Sequence, residues 1–354
     1  MNNIIKYGSI AAIPQYNCRD DESRELELLR LHRLLEPSFS AYTPEEWSAK
    51  EGVQRPISGI VEIACGTIIC ALYIPMISVM METEQFKMSC FKIMSFLAFI
   101  DIFALIITSI LTGFLSYQGA VYCTYPTLIY ISGMAGLGLW CCSCVIAMCL
   151  LINRLLELNF PSVGAFLFDG NRTFLVLNLP IIYGTYFVMF TTPVLFSSKY
   201  MAWFFDPFIF EGRKQDYANY SHLFNNTLNA FLTLCLYMIF CCALGAKLKN
   251  VDTGSPAQKS STNVFYQSAM ICVINQGASL IYVSMNFIEF PVWLIVTGHV
   301  FWELGHGAPA IIYLIFNKTI MNGVLRKLGF KKKTKVGLSS TTHSIWIRKA
   351  STIH

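Results

Sequence analysis

Asp101 ends the run LAFID, residues 97–101, and apolar residues continue beyond it. An ionised carboxylate near the middle of such a segment costs about 2.5–3.5 kcal/mol to place in hydrocarbon. It must face other helices and find polar partners or a cation. Two readings stand: a functional hub with a monovalent cation near Asp101, or a structural hydrogen bond between helices. His299, Glu303 and His306 follow at i, i+4 and i+7 in another apolar run, so one helix face carries all three. That face can build a buried polar network, polarise a ligand or hold a metal. The network is favoured over the metal, because no second segment offers a matching pair of ligands. Two histidines also leave room for a pH-sensitive switch.

The run CLLINRLLELNF, residues 149–160, stops being purely apolar at Asn153 and Arg154. Glu157 lies three residues on, within helical reach of the arginine. Arg154 is either a positive anchor at a helix end or a switch residue. Eleven of the thirteen cysteines lie in or at the edges of apolar segments, where a thiol behaves as a small hydrophobe. Cys18 and Cys123 lie outside them. A bridge between these two is expected, with two free thiols as the alternative. Cys141 and Cys144 have CxxC spacing without a second pair. With Gly133, Gly136 and Gly138, they fit close helix approach better than a metal site. Asn219-Tyr-Ser is a sequon and makes Asn219 a candidate glycosylation site, whereas Asn225 is expected to lie too close to its span.

These residues need elements to hold them. The 354-residue chain is 55% hydrophobic and 13% charged, against about 25% charged in soluble domains. Its mean hydropathy is +0.51. This excludes an ordinary soluble protein, and no basic groove suggests nucleic acid. No hydrolase, Walker or metalloprotease motif occurs, so an enzyme is not expected, nor is an organic cofactor. Seven runs are long enough to cross a bilayer as helices: about 57–80, 90–115, 124–152, 173–197, 223–246, 264–288 and 291–316. Pro291 marks a helix start and separates the last two. The expected organisation is an all-α bundle over 57–316, an amino-terminal segment over 1–56 and a basic tail over 317–354. No cleavable leader is expected; the first span directs insertion.

Lysine and arginine placement orients the bundle. Residues 318–349 hold nine Lys/Arg and no acid, and the loops on that side add Lys87, Lys92, Arg154, Arg172, Lys247, Lys249 and Lys259. The opposite loops hold Lys199, Arg213 and Lys214. The tally puts the amino end outside and the carboxyl end in the cytoplasm. Ile320, Val324 and Leu328 recur at helical spacing among basic residues. They predict a short amphipathic helix on the inner leaflet, so membrane lipid is an expected partner. DDESRELELLRLHRLLEPS, residues 20–38, is rich in helix formers and predicts a solvated or surface helix. Hydroxyls from Thr334 to Ser344 offer a kinase, and through it an arrestin, a place on the tail.

Seven spans in this orientation resemble the rhodopsin-like G-protein-coupled receptors. LAFID is similar to the second-span LAxxD of that family, and Asn153-Arg154-Leu155 stands where it carries Asp/Glu-Arg-Tyr. Pro309 and Tyr313 resemble NPxxY, with Ala308 in place of the asparagine and the tyrosine one position late. The sixth-span CWxP is absent, and the second outer loop has no cysteine, so Cys18 would have to pair with Cys123 in its place. LYIPMISVM, SCFKIMSFLAFIDI, NRLLEL, PIIYGTYFVMFTTPVLFSSKYMAWFFDP and GAPAIIYLIFNKTI together resemble the nematode serpentine chemoreceptor class T over roughly residues 40–330. Residues 19–42 are extra length against that pattern, an insertion or a gene-model artefact. The resemblance implies a chemosensory receptor in the plasma membrane of a sensory neuron or its cilium. It implies a small-molecule ligand in the outer half of the bundle and a heterotrimeric G protein at the inner face. Arg154, beside Asn153, would be the coupling switch. Asp101, His299, Glu303, His306, Pro309 and Tyr313 would form the intramembrane network. Asn229, Gln276 and His299 are the candidate pocket residues by depth. The rival readings are an ion-coupled transporter or channel using Asp101 and Glu303, and an intramembrane enzyme using the same pair.

Overall fold

The computed structural model describes residues 3–18, 43–209, 214–248, 256–288 and 290–330. The helix expected over 20–38, the extra length at 19–42 and the tail hydroxyls lie outside the described residues.

Long apolar runs must satisfy their own backbone, and a helix does so within one segment. Seven long helices result among the described residues: α1 Pro56–Met80, α2 Ser89–Gln118, α3 Pro126–Asn159, α4 Arg172–Phe190, α5 Tyr220–Leu248, α6 Pro256–Ser284 and α7 Val292–Phe316. Pro56 and Pro126 stand in the first turns of their helices, where no backbone bond is lost. Gly119, at φ +69°, closes α2 in the left-handed conformation. Within α2, Ile106–Leu111 is a π-helical turn, and its polar residues Thr108 and Ser109 point inward. Large apolar side chains such as Ile57, Leu175, Phe224 and Trp293 face outward, a surface suited to lipid rather than water.

Five of these helices, α1 to α5, are long and apolar enough to cross a membrane. Helix α7 passes the same test together with α8, Lys318–Lys327, across a bend of 90°. Helix α6 falls short because Asn, Gln and Ser dilute its run. Helix α8 begins where Asn317 Oδ1 accepts from the amides of Thr319 and Ile320 at 3.1 and 3.2 Å. Its Ile320 and Val324 are buried against α1 and α7, whereas Leu328, expected on the same stripe, caps the helix end and is exposed.

Helix α3 lies at the centre and packs on α2, α4 and α5, while α7 packs on α1, α2 and α6. A Cβ on Gly138 would sit 2.9 Å from the Gly184 carbonyl oxygen, so α3 and α4 touch backbone to backbone. Helix ends differ from the expected runs. Helix α3 continues past residue 152 to Asn159, and α6 starts at Pro256. The fourth run reads to 197, but α4 stops at Phe190. Its remainder becomes β1, Leu195–Ser197, paired antiparallel with β2, Ala202–Phe204. This hairpin lies over α3: a Cβ on Gly133 would fall 1.6 Å from the Val194 carbonyl oxygen. Trp203 Nε1 donates to Thr112 Oγ1 at 2.9 Å and ties the hairpin to α2.

The amino-terminal segment folds over the same end. Ile13 and Tyr16 are buried, and the Tyr16 ring meets those of Tyr122, Tyr130 and Tyr217 at 5.9, 5.1 and 5.7 Å. A disulfide joins Cys18 to Cys123, with Cα atoms 5.6 Å apart. Trp47 Nε1, on the short helix Pro44–Glu51, donates to the Cys18 carbonyl at 3.2 Å. Burial, reinforced by the neighbouring phenols, pushes the Tyr16 phenol well above its ordinary range.

Candidate functional site

At the disulfide end, a cavity of about 500 Å³ opens between α3, α5, α6, α7 and the hairpin. This is an ordinary size for a small-molecule site. Leu137 and Trp140 from α3, His222 from α5, Tyr282 from α6, and Ile295 and Trp302 from α7 line it, with Trp203 and Phe205 from the hairpin side. The His222 ring lies edge-on to Phe205 and Tyr282, at 5.1 and 6.2 Å. Tyr282 in turn meets Trp302 at 6.3 Å. Tyr217, also on the lining, donates to the Gln15 carbonyl at 2.6 Å, so the amino-terminal segment borders the opening.

The expected pocket residues are elsewhere. Asn229 Nδ2 donates to Ser279 Oγ at 3.1 Å, and Gln276 Nε2 donates to the Ala230 carbonyl at 2.8 Å. Both stitch α5 to α6, because a lone amide buried between helices finds the nearest polar group on its neighbour. His299 is buried against α2, beside Thr108. None of the three lines the cavity. Asn219 is also corrected. Its Nδ2, the atom a glycan would occupy, donates to the Thr192 carbonyl at 2.8 Å, while its Oδ1 accepts from the His222 amide at 2.9 Å. The residue is buried and caps the start of α5.

Beneath the cavity, Asp101 finds its partners on α1 and α7. His306 Nδ1 lies 2.8 Å from Asp101 Oδ1, and Tyr73 OH lies 3.0 Å from Oδ2. The same phenol is 2.7 Å from the His306 carbonyl. Trp140, from the cavity wall, stands edge-on to His306 at 5.9 Å. A monovalent cation wants several oxygen ligands with free lone pairs, and both Asp101 carboxylate oxygens are already engaged, by His306 Nδ1 and by the Tyr73 hydroxyl. The donor set does not fit a resident cation.

Glu303 belongs to a separate cluster. Ser109 Oγ, in the π turn, sits between the Glu303 carboxylate and the Glu62 carbonyl oxygen. Glu62 Oε2 is buried without a partner. Thus His299, Glu303 and His306 do share a face of α7, but Glu303 meets Ser109 and His306 meets Asp101 on α2, while both ring nitrogens of His299 are buried without a hydrogen-bond partner. The structure does not bring the Asp101 and Glu303 carboxylates together, as an ion path or a catalytic pair would need. Glu62 was not singled out in the sequence, although a lone acid in an apolar run is the same signal that marked Asp101.

At the other end of α3, Asn153 is fully buried, and its Nδ2 donates to Ser89 Oγ at 3.0 Å. Ser89 Oγ donates to Glu157 Oε1 at 3.1 Å, and Glu157 Oε2 lies 3.7 Å from Arg154 Nη1. Ser89, at the start of α2, therefore holds both neighbours of the arginine. Tyr313 is buried in α7 with no hydrogen-bond partner for its hydroxyl, and Pro309 lies within the same helix. Arg326 of α8 forks onto Glu82 at 3.0 and 2.9 Å, and Lys327 Nζ donates to Ser78 Oγ at 2.7 Å, so α8 is fastened to the end of α1.

With the geometry in hand, comparison with known proteins places it. The family model described as serpentine type 7TM GPCR chemoreceptor Srt matches residues 3–336. Serpentine receptor class T-55 of Caenorhabditis elegans is 26% identical over 302 residues, covering 84% of this chain and 81% of that one. Squid rhodopsin superposes with a TM-score of 0.61 at 12% identity, covering 90% of this chain and 97% of its own. That likeness is one of fold.

Proposed function

The chain belongs to the Srt family of serpentine seven-transmembrane chemoreceptors, and on that premise we propose that it binds a small molecule in the aromatic cavity and activates a heterotrimeric G protein at the Arg154 end. It is a multi-pass membrane receptor of the G-protein-coupled type. The orientation follows the basic residues, with the disulfide end outside and the Arg154 end and α8 in the cytoplasm. The plasma membrane of a sensory neuron is the proposed site, with lipid headgroups beneath α8.

One observation carries this reading: Trp140 on the cavity wall and Arg154 at the far end belong to one helix, α3. Fourteen residues of helix separate them, about 21 Å. The Trp140–His306–Asp101–Tyr73 cluster ties that helix to α1, α2 and α7 between the two ends. The bundle then has two packings, one closed and one opened outward at the Arg154 end, and a ligand in the cavity favours the opened one.

The test is a signalling reporter in cells given promiscuous G proteins and a screen of odorants and small metabolites. Leu137→Trp should fill the cavity and remove the response to any active compound. Arg154→Ala should remove coupling while compound binding and surface expression persist. A response that survives both substitutions would overturn the proposal, as would a solute or ion current without G-protein signalling. Antibody labelling of intact cells should reach an epitope at the amino terminus and miss one at the carboxyl terminus.

A further inference from the structure

Ser109 stands in the π turn of α2, fully buried. Its Oγ lies between two oxygens: the Glu62 carbonyl of α1, at 2.7 Å, and the Glu303 carboxyl of α7. The hydroxyl is seated in a notch of α1, because a Cβ on Gly66 would stand 2.6 Å from it. Both contacts are hydrogen bonds, yet a serine hydroxyl has one proton to give. A backbone carbonyl only accepts, so the serine proton belongs to the Glu62 carbonyl. The second bond then takes its proton from Glu303, and only a protonated carboxyl can supply it. The opposite assignment has serine donating to an ionised Glu303. It would set the Glu62 carbonyl oxygen against a lone pair of Oγ at 2.7 Å.

Among the described residues, nothing else around this junction neutralises an acid. Helix α1 carries no lysine or arginine between Pro56 and Met80, and α7 carries none between Val292 and Phe316. The base in α2 is Lys92, near the other end, with its Nζ on the Gly170 carbonyl at 2.6 Å. Helices α3 and α6 pack on α2 and α7, and their charged residues, Arg154, Glu157 and Lys259, all lie toward the Arg154 end. His306 is engaged by Asp101, and His299, one turn from Glu303, has no hydrogen-bond partner on either ring nitrogen. The Glu62 side chain is a second acid, with its Oε2 buried and unpartnered. An ionised Glu303 would be a charge in the bundle without a counter-ion.

We infer that Glu303 is held as the neutral acid and that its proton is the pin of a clasp across α1, α2 and α7. Glu303 donates to Ser109, and Ser109 donates to the Glu62 carbonyl. When the proton leaves, Ser109 must turn to the carboxylate, and its bond to α1 is lost. None of the three residues lines the cavity, so pH becomes an input to the bundle separate from the ligand.

The test is infrared difference spectroscopy on the full-length receptor in lipid nanodiscs. At neutral pH, the unaltered receptor minus Glu303→Gln should show the carbonyl stretch of a protonated carboxyl, shifted in heavy water. A difference that holds only carboxylate bands overturns the inference. If Glu303→Gln fails to fold, Ser109→Ala serves instead. It removes the acceptor of the acid proton, so the acid band should move to higher frequency, and an unmoved spectrum overturns the clasp. Thermal denaturation is the second readout. From neutral to mildly alkaline pH, the unaltered receptor should lose the acid band and melting temperature together. Glu303→Gln, whose amide still donates to Ser109, should hold its melting temperature over the same range. Equal losses in the two proteins overturn the pH-sensitive clasp.

Discussion

At the disulfide end, the bundle is built from aromatic rings held in place by a covalent bond, a hairpin and hydrogen bonds from indoles and phenols. At the Arg154 end, Met76, Met80 and Met94 fill the core between α1, α2, α7 and α8, and half-exposed ion pairs hold α8 and the end of α3. Rings in fixed edge contacts define a shape, whereas methionine side chains repack at little cost. The difference fits recognition at one end and movement at the other. It also separates the strong restraints from the weak ones, and that separation can be attacked.

The largest effect should come from Cys18→Ser. The bridge closes a loop with a sequence separation of 105, worth about 5 kcal/mol by loop entropy. The variant should melt at a markedly lower temperature, and an unchanged melting curve would show that the amino-terminal segment is held without it. Gly133→Val comes next, because the new side chain meets the Val194 carbonyl. It should cost about 1–3 kcal/mol and alter the fluorescence of Trp203 as the hairpin lifts. Tyr73→Phe removes the phenol shared by Asp101 and the His306 carbonyl, at about 1–3 kcal/mol, and thermal denaturation should register it. If Tyr73→Phe melts like the unaltered receptor, the Asp101 cluster does not brace the bundle.

The smallest effects lie at the switch and at the lid. The Arg154–Glu157 pair is partly exposed, and such pairs contribute about 0–1 kcal/mol. Glu157→Ala should raise basal signalling by no more than about fivefold; unchanged basal output would remove Glu157 as a restraint on the arginine. Alkali gives the last test. The Tyr16 phenol titrates above its ordinary value of 10.0 in the folded chain. The stability it lends is complete below that pH and is lost as pH rises beyond it. An ultraviolet titration should show a group of late tyrosines that includes Tyr16 and its neighbour Tyr122, and Tyr16→Phe should remove one tyrosine from that group.

Helix number and the bent α8 were legible because hydropathy and amphipathic spacing act locally. The hairpin was not. Strands of three residues have almost no pattern of their own, and what holds them is Thr112 on another helix and the missing side chain at Gly133. Asp101 announced itself by its cost in hydrocarbon, but its partners Tyr73 and His306 are 28 and 205 residues away along the chain. Asn229 and Gln276 face a neighbouring helix and not the cavity, since position along an apolar run says nothing of which side a residue turns to. Asn219 carried two signals in one string. The tripeptide suggested a glycan, and its place before an apolar helix suggested a cap; burial decides for the cap. The cavity draws its walls from α3, α5, α6, α7 and the hairpin, and no single stretch of the chain carries its pattern.

The π turn at Ile106–Leu111 takes up one residue more than an α-helical turn. That wider turn sets Ser109 Oγ between the Glu62 carbonyl oxygen of α1 and the Glu303 carboxylate of α7. Deleting one residue there would let α2 wind as an ordinary helix, and Thr112 would keep nearly its present facing toward the Trp203 indole. The loss would fall on the Ser109 bridge, so a lesion in mid-membrane would loosen the grip of three helices on one another and leave the rim of the chamber moored.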